Sequence, residues 1–460
     1  MKLNLFKRKE KARTHGGGTA VADLTAEQRL RRSVLACLLW EDEFYEEGTS
    51  IADRIVATAL EVEPEKVAAL ALEARTIHNL RHAPLLLLTV LAKTGAKVPG
   101  LVANAIEETL QRADELSELV AIYWRNGKRP LSAQMKKGLA KAFAKFDAYQ
   151  LAKYDREGPV RLRDVLFLVH AKPKGAEQEA LWRKLAEKQL DQADTWEVAL
   201  SGGADKKATF ERLLQEGKLG YLALLRNLRN MAAAGVDERL VNEALAARKG
   251  ARRVLPFRFI AAGKAAPIYE PAIDAAMLAS LAELPKLSGR TLVIIDVSGS
   301  MYGGRMSKRS DMNRALAACA LGAIARELCE TPLIYATAGN DGTRVHQTEL
   351  VPARRGMALV DAIYGMCKPL GGGGIFLNQV MRFCQAKHPK VERVIVITDE
   401  QDCSGSGDEP AKAPAYGSIG NYLINVASYR NGVGYRNGWT HVDGFSEAVL
   451  RYIAECEKAG

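Results

Sequence analysis

The sequence has few of the features that mark secreted or membrane-bound proteins. Seven cysteines are scattered through 460 residues without C-x-x-C spacing, so neither a disulfide framework nor a zinc or redox site is predicted. No uninterrupted apolar run approaches the ~20 residues that span a membrane. The basic residues 1–20 lack the apolar core of a secretory signal. We therefore expect a cytoplasmic protein without membrane contact, beginning with a disordered basic tail over residues 1–20.

Common catalytic motifs are also missing. The sequence has no H-E-x-x-H and no Walker loop, and "LGGGGI" lacks the lysine of a phosphate-binding loop. Phosphotransferases of the haloacid-dehalogenase type also place an Asp after a strand, but they need a second acid two residues later, where this chain has Ser298. The sequence therefore predicts a protein that is not an enzyme.

Two domains are expected, because 460 residues exceed what one hydrophobic core usually supports. Residues 21–285 combine apolar positions at three- and four-residue steps with Gly or Pro stops, which predicts a solenoid of helix pairs. After Pro285, short β-branched runs ("LVIIDV", "PLIYAT", "VERVIVITD") alternate with helical segments such as "DMNRALAACALGAIARELC". This alternation predicts an α/β domain with a parallel sheet over residues 286–460.

Positive charge is concentrated in one stretch of the helical region. The whole chain carries +11, and residues 121–174 alone hold 13 basic residues against four acidic ones. Lys137, Lys141 and Lys145 recur every four residues, so on an amphipathic helix they would form one basic stripe able to follow phosphates. A merely solvated face is the usual explanation of a charge run. The imbalance of charge here favours RNA or another polyanion.

Oxygen-bearing side chains follow two of the predicted strands. Asp296 and Asp399 each end a strand, and the carboxyl ends of parallel strands meet at one edge of a sheet. Ser298 and Ser300 follow Asp296 in the same tight loop, so the four side chains offer the hard oxygen ligands that Mg²⁺ prefers. The alternative is a strand-ending turn in which these side chains cap backbone groups.

Two sets of segments resemble a known family. "VIIDVSGSM" and "VIVITDEQ" resemble the metal-ion-dependent adhesion site of von Willebrand factor A domains. The segments "LVAIYWRNGKRPLS", "LRDVLFLVHAKPK" and "RVLPFRF" resemble the TROVE module of the Ro autoantigen family, in a bacterial or phage-type form. The resemblance runs from about Thr25 to the end of the chain. It implies a ring or solenoid of HEAT-like α-helical repeats over residues 21–285 and a von Willebrand factor A-like (Rossmann-like) domain over residues 286–460.

The resemblance also implies partners and contact residues. Members of the Ro family bind single-stranded ends of misfolded RNA and small structured Y RNAs, so we expect a monomer acting in RNA quality control or as a tether to an exoribonuclease. Family RNA-contact positions fall on Lys153 and His170, with Arg156 beside a third. A packed core histidine is the alternative for His170. Together with the basic stretch, the predicted RNA contacts are Lys136, Lys137, Lys141, Lys145, Lys153, Arg156, His170 and Lys172.

One position departs from the family pattern at the predicted metal site of Asp296, Ser298, Ser300 and Asp399. Where the family has a metal-contacting Thr, the run "PLGGGGIF" has Gly373. The resemblance therefore predicts weak binding of Mg²⁺ or another divalent cation, and restoring the hydroxyl with Gly373→Thr is expected to tighten it. A protein-binding scaffold with a metal-dependent adhesion domain and no RNA role remains the alternative function.

Overall fold

A computed structural model describes residues 25–36, 48–303, 312–403, 413–426, 438–443 and 449–458. The chain divides into two compact units, one formed by Leu24–Leu35 and Thr49–Val254 and the other containing Leu255–Gly460. The predicted tail over residues 1–20 lies outside the described residues. In the described ranges no helix is both long enough and apolar enough to span a membrane.

The first unit consists of helices throughout its described part, which confirms the prediction for this region. Its α-helices are α1 (Ala26–Ala36), α2 (Gly48–Ala59), α3 (Pro64–Thr76), α4 (His82–Thr94), α5 (Leu101–Thr109), α6 (Asp114–Tyr123), α7 (Ala133–Phe143), α8 (Ala148–Tyr154), α9 (Leu162–Val169), α10 (Ala176–Ala186), α11 (Trp196–Ser201), α12 (Lys206–Gln215), α13 (Tyr221–Ala234) and α14 (Glu238–Ala247). A 3₁₀ turn follows at Ala251–Arg253.

The basic helix α7 is held firmly against α5. A Cβ atom at Gly138 would lie 2.7 Å from the carbonyl oxygen of Ala103, so only glycine allows the two backbones to approach this closely. The Gln134 side chain accepts a hydrogen bond from the Val102 amide at 3.1 Å, which satisfies one of the free N–H groups at the start of α5. These contacts fix which face of α7 remains available to solvent.

The second unit is an α/β domain preceded by two helices. Its elements are α15 (Pro256–Ala265), a 3₁₀ turn (Pro267–Tyr269), α16 (Glu270–Ala282), β1 (Leu287–Asp296), α17 (Gly299–Gly303), α18 (Arg314–Leu328), β2 (Cys329–Asn340), β3 (Val345–Leu350), α19 (Gly356–Tyr364), α20 (Leu377–Lys387), β4 (Arg393–Thr398), β5 (Gly420–Asn425), β6 (Thr440–Asp443) and α21 (Val449–Lys458). The three predicted strand runs correspond to β1, β2 and β4. Strands β3, β5 and β6 lie outside the predicted strand runs.

The six strands form one sheet in the order β3-β2-β1-β4-β5-β6. All neighbours are parallel except β2 and β3, which are antiparallel. Strands β1 and β4 are hydrogen-bonded neighbours in the middle, with Ile295 opposite Ile397. Their carboxyl ends therefore meet, and Asp296 and Asp399 leave the sheet at the same edge.

The second unit begins at Leu255, whereas the predicted domain boundary was residue 286. Helices α15 and α16 pack on the α/β elements: the Met357 amide at the start of α19 donates to Asp274 on α16 at 2.9 Å, and Lys264 on α15 pairs with Asp361 on α19. Helices α15 and α16 continue the helical pattern of the first unit, and the β-branched runs that set the predicted boundary begin only after them.

Candidate nucleic-acid interface and cation site

The predicted lysine stripe is divided by the end of α7. Lys137 and Lys141 lie on α7, whereas Lys145 lies beyond its end. The Lys145 ammonium donates to the carbonyls of Glu107 and, at 2.6 Å, Leu110, which satisfies carbonyl groups at the end of α5. Burial lowers the pKa of this ammonium. Lys141 pairs with the Glu107 carboxylate at 2.7 Å. The contacts of Lys145 with α5 are structural. All three lysines are exposed, and among the described residues Lys137 is the one whose ammonium has neither a carboxylate nor a carbonyl partner.

The next helix places a lysine among aromatic rings. Asp147 caps the first turn of α8 through its side chain. The Lys153 ammonium lies 5.5 Å from the centre of the Tyr149 ring and 5.6 Å from that of Tyr154. The Arg112 guanidinium covers Tyr154 at 4.6 Å. Tyr149 is 44% exposed, so its ring can contact a ligand while Lys153 supplies the positive charge.

Helix α9 adds a second cation–aromatic pair. The Arg163 guanidinium lies 5.8 Å from the centre of the Phe167 ring, and Phe167 is 54% exposed. His170 follows α9 in the left-handed conformation, with φ of 50°, and is exposed. The alternative of a packed core histidine is therefore wrong. Arg156 and Lys172 are also exposed.

Lys136 is half-buried at the start of α7, and the remaining predicted contacts divide between α7 and the α8–α9 region. The aromatic members Tyr149 and Phe167 were not predicted, although a sequence signal exists. Each lies four residues from its basic partner, a spacing that brings side chains together on a helix. The contact of Arg112 with Tyr154 joins residues 42 positions apart and has no such signal.

The sheet edge brings the predicted cation ligands together. Asp296 is fully buried, and its two oxygens accept hydrogen bonds from the Ser298 amide at 2.8 Å and the Thr398 hydroxyl at 2.6 Å. The Ser298 and Ser300 hydroxyls lie 3.2 Å apart. Asp399 is also fully buried and accepts from the Gln401 amide at 3.2 Å. Both carboxylates therefore cap backbone amides of their own loops, as expected for a strand-ending turn. The two serine hydroxyls converge beside them.

The site carries more negative than positive charge. Burial, and then the charge of Asp399, raises the pKa of Asp296. The predicted set did not include Arg314, whose Nη1 lies 3.2 Å from Asp399 Oδ2. One guanidinium faces two buried carboxylates, so a hard cation would relieve the remaining negative charge. Across the described segments no group of three or more His, Cys, Asp or Glu side chains could hold a metal ion, so hydroxyls would have to complete the ligand set.

The glycine run that replaces the family Thr lies against this loop. The Gly299 amide donates to the Gly373 carbonyl at 3.0 Å, and the Gly373 amide donates to the Gly339 carbonyl at 3.0 Å. A Cβ atom at Gly373 would lie 2.8 Å from both the Gly339 carbonyl oxygen and Asp341 Oδ1. Gly373 therefore occupies the expected place, but the backbone packing opposes a side chain there.

We expect Gly373→Ala and Gly373→Thr to lower the free energy of unfolding by about 1–3 kcal/mol, because the added Cβ displaces packed backbone. Neither variant should bind Mg²⁺ more tightly, which reverses the expectation from the family pattern. Urea unfolding and calorimetric titration with Mg²⁺ measure both effects. Gly365→Ala is the matched control, since its Cβ would meet only ordinary contacts, at 3.5 Å or more. Full stability with tighter Mg²⁺ binding in Gly373→Thr would contradict this account.

Comparison with known proteins agrees with the resemblance. The family model described as "TROVE domain" matches residues 182–270. The solved structure of the Deinococcus radiodurans Ro (RSR) protein superposes with a TM-score of 0.68 over 95% of this chain and 100% of that chain, at 19% sequence identity. The resemblance to the Ro family is confirmed. The structural likeness also confirms the predicted fold class, helical repeats followed by an α/β domain.

A second relative shares only a short segment. Telomerase protein component 1 of Mus musculus is 38% identical over 76 residues, which are 15% of this chain and 3% of that protein. The matched TROVE range begins at Trp182, after the basic surface of α7–α9. The residues of the candidate RNA interface therefore lie outside the TROVE match.

Proposed function

We propose that this chain is an RNA-binding protein of the Ro type and that RNA contacts the exposed surface of α7, α8 and α9. The observation that supports it most is the pairing of cations with exposed rings, Lys153 with Tyr149 and Arg163 with Phe167. Cations contact phosphates and aromatic rings stack on unpaired bases. This combination is typical of surfaces that bind single-stranded nucleic acid.

The charges of this surface are available to a ligand. Among the residues that the structure describes, Lys137, Lys153 and Arg156 form no ion pair with a carboxylate, and Lys137 and Arg156 are exposed. A polyanion can therefore bind them without first displacing an internal partner. Residues 121–174, with 13 basic and four acidic residues, also attract RNA at longer range.

The proposal extends to two kinds of RNA and to a cellular role. Unpaired segments, such as the ends of misfolded RNA, suit the exposed rings of Tyr149 and Phe167. Small structured RNA of the Y type suits Lys153, which is half-buried, and His170, which is exposed, because both can contact a folded backbone. We propose that the protein acts without catalysis in RNA quality control, or presents RNA to an exoribonuclease.

Mg²⁺ or another divalent cation is proposed as a weakly bound ligand of the second unit. Asp296, Ser298, Ser300 and Asp399 would hold it, because their oxygens lie at one sheet edge where two buried carboxylates face one guanidinium. A bound cation there could accept a carboxylate from a partner protein. The alternative function, a scaffold that binds protein partners only through this cation, does not explain the cationic and aromatic surface of α7–α9.

Salt dependence of RNA binding tests the proposed interface. We expect the affinity for a labelled single-stranded RNA to fall steeply between 50 and 200 mM salt, at roughly 0.7 logarithmic units per phosphate contact. The triple variant of Lys137, Lys153 and Lys172 to glutamine should flatten the slope by roughly two units. Fluorescence anisotropy at several salt concentrations measures the slope.

The matched control changes the same number of charges elsewhere on the helical unit. Lys66, Lys207 and Lys218 each pair with a carboxylate, so replacing them by glutamine should leave the slope almost unchanged. Equal slopes for the wild type and the first triple variant would exclude the α7–α9 surface. Absence of RNA binding in the wild type would favour the scaffold function.

A further inference from the structure

Helix α18 begins with a buried arginine. Asn313 caps the helix by accepting a hydrogen bond from the Leu316 amide at 2.8 Å. Arg314 is the first helical residue, and its side chain is only 6% exposed. Its guanidinium reaches back to the sheet edge, where Nη1 lies 3.2 Å from Asp399 Oδ2.

The first turn of a helix is an unfavourable position for a cation such as Arg314. The N-terminus of a helix carries partial positive charge, and α18 has 15 residues with no acid in its first turn. Burial of a guanidinium adds a further cost unless a negative group compensates. Asp399 supplies that compensation, with Asp296 close enough for their charges to interact. The position of Arg314 is therefore explained by the carboxylates of the sheet edge.

The carboxylate oxygens at this edge already have hydrogen-bond donors. Asp399 accepts from Gln401 and Arg314, and Asp296 accepts from Ser298 and Thr398. A divalent cation would have to share these oxygens, and it would be repelled by the single positive charge fixed beside them.

We propose that Arg314 is a resident cation of this site, which keeps the two loops ordered without a metal ion and competes with any divalent cation for Asp399. A guanidinium joined covalently to α18 neutralises one carboxylate at any metal concentration. Metal binding is then weak for two reasons. Arg314 already pairs with Asp399, one of the carboxylates that would bind the metal, and Gly373 has no side-chain hydroxyl. This inference rests on the proposed cation site and is independent of RNA binding.

Arg314→Met in the full chain tests the competition. Methionine has a similar length and no charge, so Mg²⁺ and Mn²⁺ should bind about tenfold more tightly or better than in the wild type. Without metal the variant should melt at a lower temperature than the wild type, and saturating Mg²⁺ should restore most of the loss. Calorimetric titration and thermal unfolding measure the two effects. Arg326→Met, in the last turn of α18, removes the same charge as a control and should change neither.

Arg314→Lys tests whether a positive charge at position 314 is enough to keep metal binding weak. Lysine retains the positive charge, so this variant should fold and bind Mg²⁺ no more tightly than the wild type. Equal, measurable affinity in the wild type and Arg314→Met would overturn the competition while leaving the cation site in place. No binding in either protein would instead refute the cation site itself. If Arg314→Met does not fold even in Mg²⁺, binding in Arg314→Lys as weak as in the wild type supports the proposal, and much tighter binding overturns it.

Discussion

Glu115→Ala is expected to lower the free energy of unfolding of the helical unit by about 3–5 kcal/mol, because it leaves a buried charge without its partner. Glu115 is fully buried in the first turn of α6. Its carboxylate accepts from Arg75 Nε at 2.9 Å and from the amides of Gln111 and Arg112 at 2.7 and 3.1 Å. One side chain therefore joins α3 to α6 and satisfies two free N–H groups.

Without Glu115, the Arg75 guanidinium keeps its charge but loses the carboxylate that pairs with it. The Arg75 side chain is only 12% exposed, so water compensates little for this loss. Thermal and urea unfolding of the full chain measure the loss. Glu108→Ala is the control, because Glu108 is an exposed acid on the neighbouring helix α5 and the same charge is removed. The loss of stability in Glu115→Gln should lie between those of Glu115→Ala and Glu108→Ala, since the Gln amide oxygen can still accept hydrogen bonds from the backbone. A loss below about 1 kcal/mol for Glu115→Ala would show that this contact does not hold the two helices together.

Tyr149→Ala and Phe167→Ala should each weaken binding of single-stranded RNA by about 1–3 kcal/mol, the usual contribution of one base stacked on an aromatic side chain. Both rings are exposed, so the folded protein should lose little stability. Tyr149→Phe and Phe167→Tyr retain a ring and should bind RNA nearly as well as the wild type. Fluorescence anisotropy with a short unpaired RNA measures these affinities.

Leu222→Ala is the control for loss of exposed apolar surface, because Leu222 is 43% exposed on α13, away from the candidate interface. A fully paired duplex offers no free base faces, so the aromatic variants should affect its binding much less. Unchanged affinity of both alanine variants for unpaired RNA would remove stacking from the account and leave only phosphate contacts.

The central strands and the positions of the site loops could be predicted because they depend on local pattern. The runs that form β1 and β4 are β-branched and buried, as in the middle of a parallel sheet. An Asp at the end of each run must then lie at the shared edge. Periodicity likewise predicted the basic helix α7. The exposure of His170 followed from its place between an apolar helix and a basic segment.

Contacts between distant segments could not be predicted in this way. Lys145 binds carbonyls at the end of α5, about 35 residues earlier, so helical spacing alone gave it the wrong environment. Arg314 and Asp399 are 85 positions apart, and nothing near either residue indicates the pair. The clash at Gly373 arises from the backbone of β2, which a comparison of motifs does not include. In each case the deciding neighbour belongs to another element of the fold.

Crosslinking with RNA is the most direct test of the central claim, that RNA binds the exposed surface of α7–α9. A short single-stranded RNA containing 4-thiouridine would be irradiated with the full chain, and the crosslinked peptides identified by mass spectrometry. The account predicts crosslinks concentrated in residues 133–174, including Tyr149 or Phe167, and their loss in the Lys137, Lys153 and Lys172 triple variant. Crosslinks confined to other parts of the chain, or equally strong in that variant, would contradict it.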